Sequence, residues 1–189
     1  MTKLAHSDDK MTVEEFLAFT ETRPDEEKWE LIEGEPIMNA SPAQLHQIIV
    51  ANLLAGLIAI SRQTPGLWRA IPGIGVRLSE INAPVPDVMI RPWDFTNNVI
   101  CDDMIVAFEV LSPSTKRRDL RWKRTAYASL PSLMHYVVIA QDEVEVMTYD
   151  RASGFAEHRL DGPGDAIALG AVGLSLPLRD IYRDTGILI

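Results

Sequence analysis

The run Ile105-Val106-Ala107-Phe108-Glu109-Val110-Leu111 constrains this chain most. Seven residues, apolar except for one carboxylate, read as a buried central strand. The segment that follows, Thr115 to Leu130, reads as a helix. At 100° per residue its apolar face is Leu120, Ala126, Tyr127 and Leu130, and Lys123 projects from the centre of that face with Asp119 one turn before it. Arg117, Arg118, Arg121 and Arg124 point the other way, so the helix has solvated positions for its charges. A lysine directed into a core needs a partner. Strand, short loop and helix therefore bring a buried acid, Glu109, toward a buried base, Lys123.

Before that block, residues 12–20 form an amphipathic helix, with Thr12 and Glu15 spaced as a capping box. Residues 29–40 read as two short strands about a turn at Glu33-Gly34, and Ser41-Pro42 opens a longer helix over about 43–61. Strands follow at 67–71, 75–78, 86–90 and 105–111, separated by Pro, Gly and Asn. After the Lys123 helix come a strand pair, 134–140 and 144–149, then glycine-punctuated short strands and a final turn near 178–182. The expectation is a single α/β domain spanning residues 1–189, a mixed β-sheet flanked by helices.

Composition sets outer limits. Hydrophobic residues make up 47% and charged residues 24% of 189 positions, which argues against a disordered chain. A single cysteine, Cys101, has no internal disulfide partner and sits beside Asp102 and Asp103, a poor setting for a thiolate nucleophile. No basic-then-apolar leader opens the sequence, and the longest apolar stretch, around 48–60, is short for a membrane span and interrupted by Asn52. A cytoplasmic protein with no membrane partner is expected. The four histidines lack zinc spacing, and Gly73-Ile74-Gly75 lacks the rest of a dinucleotide fingerprint.

A net charge of −9 argues against a general nucleic-acid binder. Yet Lys116, Arg117, Arg118, Arg121, Lys123 and Arg124 place six of the 18 basic residues within nine positions. Such a helix is either an ordinary solvated face or a local grip on a phosphate backbone, with Lys116, Arg117, Arg121 and Arg124 as the DNA-binding candidates.

Asp87 joins Glu109 by position. Pro86-Asp87 opens the apolar strand Val88-Met89-Ile90, because proline is compatible with the first residue of a strand and not with its middle. Two acids on neighbouring strands and a lysine from the next helix make a chemical set. Hard divalent cations want oxygen ligands, and Mg²⁺ takes one or two carboxylates, waters and substrate phosphate. A turn aspartate and a structural acid–lysine pair are the alternatives. His46 stands beside Ile49 and Leu53 on its helix wheel, the setting of a buried, hydrogen-bonded histidine.

Taken together, Trp29-Glu30-Leu31-Ile32-Glu33-Gly34-Glu35, Ser41-Pro42 with His46, Pro86-Asp87-Val88, Glu109-Val110-Leu111-Ser112-Pro113-Ser114-Thr115, and then Asp119, Lys123 and Tyr127 resemble the Uma family of bacterial restriction endonucleases, within the PD-(D/E)XK nuclease superfamily. The resemblance runs from about Met11 to Tyr149. It implies a restriction-endonuclease-like core and hydrolysis of DNA phosphodiesters with Mg²⁺ or Mn²⁺. Asp87 and Glu109 match the metal-binding acids, with Glu30 a further acid and His46 a site residue. Leu111 stands where the superfamily's usual lysine would be, two positions after the second acid, and the resemblance passes that role to Lys123. A non-catalytic DNA- or protein-binding module with the same fold is the alternative, and a homodimer is a further expectation.

Overall fold

Thr12 caps the first helix, α1 (Val13–Thr20), through the expected box: its backbone N–H donates to Glu15 Oε2 at 2.8 Å, and Glu15 N–H donates to Thr12 Oγ1 at 3.3 Å. The computed structural model describes residues 10–24, 26–63, 65–111, 118–162 and 164–187, without the side chains of 118–120. After α1 come a hairpin of β1 (Lys28–Ile32) and β2 (Glu35–Asn39), then α2 (Gln44–Ser61). Next are β3 (Trp68–Pro72), β4 (Gly75–Val76), β5 (Val88–Pro92), β6 (Ile100–Cys101) and β7 (Val106–Leu111). Helix α3 (Arg118–Ala128) leads to β8 (His135–Ala140), β9 (Val146–Asp150) and β10 (Glu157–Leu160). The described chain ends with β11 (Ala166–Leu169), β12 (Leu174–Pro177) and a one-turn helix, α4 (Leu178–Ile181).

Six strands form a mixed sheet in the order β10-β9-β8-β7-β5-β3. Only β7 and β8 are parallel, and α3 is the crossover that parallel neighbours require. The expected strand at 75–78 is shorter than its sequence pattern. Gly75 and Val76 pair instead with Ile100 and Cys101, outside the main sheet. The helix expected to start at Thr115 is described from Arg118, and residues 112–117 lie outside the described part.

Strand alternation sorts the core into two layers. Val106, Phe108 and Val110 face α2, whose Ile49, Leu53 and Leu57 are fully buried, together with β11, β12 and α4. Ala107, Met89, Tyr136 and Val138 face the other way, against Tyr127 of α3 and Leu130 just after it. Glu109, two residues beyond Ala107, therefore points to the α3 side. Helix α2 has the length and composition to cross a membrane, with mean hydropathy 1.5 over 18 residues, but its buried stripe is part of this core. Trp68 is buried in the α2 layer, whereas Trp93 stays 42% exposed beneath the Arg69 guanidinium.

The hairpin that covers the α3 side turns in two residues, Glu33 and Gly34, at φ of 52° and 81°. Positive φ at both places is a type I′ turn, which favours Asn-Gly. A Cβ on Gly34 would meet Lys10 Cβ at 2.4 Å, so glycine is required there. Glutamate at Glu33 is instead a strained choice. Replacing it with asparagine should stabilise the fold by about 0.5–1 kcal/mol, as left-handed strain is relieved. Urea unfolding of Glu33→Asn beside wild type measures this, and an unchanged midpoint would show that the turn is unstrained.

Candidate functional site

Antiparallel register places the two strand acids side by side. Val88 pairs with Phe108 and Met89 with Ala107, so the next step of the ladder sets Asp87 opposite Glu109 on the α3 face. Directly opposed side chains stand roughly 4.5–5.5 Å apart at Cβ, and like charges there repel. Asp87 is fixed by a backbone donor: Val110 N–H donates to its Oδ2 at 2.7 Å. His46, near the start of α2, places Nε2 at 3.3 Å from the same oxygen. Its Nδ1 is buried and has no hydrogen-bond partner among the described residues.

Lys123 reaches this acid pair from α3. Its Nζ donates to Glu109 Oε1 at 2.9 Å and to Glu30 Oε1 at 3.2 Å, with all three side chains largely buried. Glu30 comes from β1, and Asn39, across the hairpin on β2, donates to its Oε1 at 3.1 Å. Tyr127, one turn after Lys123, donates its hydroxyl to Glu109 Oε1 at 3.0 Å. Two carboxylates from distant parts of the sequence thus converge on one ammonium, and Asn39 and Tyr127 hold them in place. Glu30, His46, Asp87, Glu109 and Lys123 are brought together as a connected set. Asn39 was missed, since an asparagine near a hairpin end carries no signal until strand register places it opposite Lys28, within reach of Glu30.

Three carboxylates face one lysine, and the electrostatics follow. Burial pushes the Glu109 carboxyl up from its ordinary 4.5 to about 8; Lys123 opposes that rise, while Asp87 and Glu30 add to it. For Lys123, burial disfavours the ammonium, but the attraction of Glu109 and Glu30 wins and the shift is upward. Burial also raises the Tyr127 phenol, which stays a donor. Burial is thus the chief reason that the Glu109 carboxyl stands above its ordinary range, with Asp87 and Glu30 adding to it.

The basic candidates divide. Lys116 and Arg117 lie outside the described residues. Arg121 and Arg124 are both exposed on α3, and the Arg124 guanidinium sits 4.7 Å from the centre of the Tyr149 ring.

Residues 13–179 match the family model described as "Uma2: Putative restriction endonuclease", and the chain belongs to that family. It is 26% identical over 180 residues to the "Uncharacterized protein slr1290" of Synechocystis sp., a match covering 92% of each chain. The crystal structure of "a putative nuclease belonging to DUF820" from Anabaena variabilis superposes with a TM-score of 0.75 at 19% identity, covering 91% of this chain and 97% of that one. That likeness establishes a shared nuclease-like fold.

A raised carboxyl has a defined effect on stability. With a folded pKa near 8 against 4.5, Glu109 contributes stability that is full below about pH 4.5 and lost as pH rises through 8. Glu109→Gln keeps an acceptor for Lys123 and Tyr127 and removes this titration. In metal-free buffer the variant should lose less stability than wild type between pH 5 and pH 8.5, by more than about 1 kcal/mol, the equivalent of one pKa unit. Parallel slopes in urea melts across that range would contradict it.

Proposed function

We propose that this protein is a divalent-cation-dependent DNA endonuclease that hydrolyses phosphodiester bonds. The observation that carries the reading is the placement of Asp87 opposite Glu109 on adjacent strands, with Lys123 hydrogen-bonded to the second acid. Among the described residues no three His, Cys, Asp or Glu side chains converge in metal-ligand spacing. Two carboxylates suffice for Mg²⁺ or Mn²⁺ when waters and a substrate phosphate complete the shell, and the surplus negative charge here suits a hard cation. Asp87 and Glu109 would hold it. When bound, the cation lowers the pKa of a coordinated water and stabilises charge on the phosphoryl oxygen.

The remaining residues position and balance. Val110 N–H and His46 orient Asp87, and Tyr127 orients Glu109. Lys123, already charged, offsets the negative charge that grows on the phosphoryl oxygens, and its other partner, Glu30, keeps the ammonium at the strand pair. Exposed Arg121 and Arg124, on the same helix, supply counter-charge for a DNA backbone.

One observation favours a second reading. Lys123 bonds two of the three carboxylates directly, which is also how a structural ion cluster in a non-catalytic binding module would look. Incubation of the purified protein with supercoiled plasmid and Mn²⁺ separates them. Nicked or linear product is expected from wild type, with Asp87→Ala and Lys123→Met each lowering the rate roughly 100-fold or more. Lys123→Met should also destabilise the fold by about 3–5 kcal/mol at pH 8, and less at pH 5, where the abandoned carboxylates can protonate. Cleavage at the same rate by Asp87→Ala would assign the activity to a contaminant and leave the binding module as the reading.

A further inference from the structure

Beside the charged cluster, on an adjoining stripe of the same helix, lies a separate cavity of about 330 Å³ between α3 and the β1–β2 turn. Leu78, Trp122 and Ala126 give it apolar walls, and Glu33, Ser79 and Asn82 line it with polar groups. Its size is at the lower end of ligand pockets. Trp122 immediately precedes Lys123, so the two side chains leave α3 about 100° apart, one into the cluster and one into the cavity. Glu30 on β1 belongs to the cluster, and Glu33, in the turn that follows β1, lines the cavity. Three residues span at most about 10 Å of chain, so the two sites lie within reach of one nucleic-acid strand.

The polar groups in this cavity differ in availability. Ser79 Oγ already accepts from Asn82 Nδ2 at 2.9 Å and from Ile81 N–H at 3.3 Å. Asn82 Oδ1 accepts Glu33 N–H at 2.7 Å, a bond between residues 49 positions apart that fixes the turn. Among the described residues no hydrogen bond or ion pair engages the Glu33 carboxylate. This free acid sits on the one non-glycine residue of the turn, in the left-handed region at φ 52°. Strained backbone held in place by a long-range bond marks positions where the side chain has a use beyond folding.

We infer that this cavity receives an unstacked nucleobase of the strand whose phosphate lies at the Asp87–Glu109–Lys123 cluster, stacked on Trp122 and hydrogen-bonded to Glu33. The inference rests on the nuclease reading and adds a substrate preference to it. A carboxylate at the pocket repels phosphate, so the base and not the backbone enters. It accepts hydrogen bonds only, so it favours bases that present an exocyclic amine, as cytosine does through N4. Aromatic stacking contributes affinity on single strands because every base has a π-face. The substrate that fits is a single-stranded or locally opened strand, with cytosine preferred over thymine.

Metal-free binding of fluorescein-labelled twelve-nucleotide deoxycytidine and thymidine homopolymers, measured by anisotropy at pH 7.5, tests this. Wild type should bind the cytosine strand roughly tenfold more tightly than the thymine strand. Trp122→Ala should weaken cytosine binding by roughly 5- to 100-fold, the range of one lost base stack. Glu33→Gln should bring the two strands within about threefold of each other, with melting temperatures of both variants near wild type. Equal binding of both strands by wild type, or undiminished binding by Trp122→Ala, overturns the pocket while plasmid cleavage still stands for the nuclease reading. Binding of an acidic or basic peptide at this cavity in place of either strand overturns it equally. Absence of both strand binding and plasmid cleavage overturns both inferences.

Discussion

The organisation of the α3 side of this protein depends on one buried ammonium. Lys123 has a side chain 14% exposed and holds Glu109 at 2.9 Å and Glu30 at 3.2 Å. A buried charge without a partner is costly, and a buried pair stripped of one partner is costly as well, so these elements are committed to each other. The hairpin that carries Glu30 has its own small hydrophobic cluster with α1, formed by Val13, Phe16, Leu31 and Ala83. Backbone bonds also tie the hairpin to residues 81–83, and Lys123 adds a charged tie from α3 to Glu30. Lys123 fastens a peripheral hairpin to a central strand, and the fastening point is where the acids gather.

The arrangement is over-supplied with negative charge. Apolar residues at 107 and 109 together with 87 and 89 would make a flat, well-packed face against α3, as Met89 and Ala107 do alone. Glu109 and Asp87 interrupt it with two carboxylates placed opposite each other, a pairing that disfavours the metal-free fold. Burial holds the Glu109 carboxyl well above its ordinary range, at about 8, so the site resists carrying both negative charges. A sheet selected only for stability has no need of this. A sheet that must receive a cation does, because the same repulsion becomes attraction when a divalent ion arrives.

Much of this was legible in the sequence because it follows from periodicity. The run at 105–111 could only be a buried strand, and a 100° wheel put Lys123 at the centre of an apolar face, so the Glu109–Lys123 contact was readable before any coordinates. Proline fixed the start of β5 and with it Asp87. Long-range register was not readable, which is why the hydrogen-bond partners of Glu30, Lys123 and Asn39, went unassigned. The pair β4–β6 was missed for a related reason: two-residue strands carry no pattern, and Gly75 is defined by its close approach to Ile100. Glu33, legible in the sequence only as a turn residue, lines a cavity because Asn82 reaches it from 49 positions away.

Whether the opposed acids form a cation site is the question on which the functional account turns, and calorimetric titration with Mn²⁺ addresses it without reference to cleavage. Wild type should bind one ion per chain, and Asp87→Asn, which keeps the shape of the side chain and removes one charge, should lose that binding while remaining folded. Absence of binding by folded wild type, or equal binding by Asp87→Asn, would contradict the account and leave Lys123 and its carboxylates as a structural clasp.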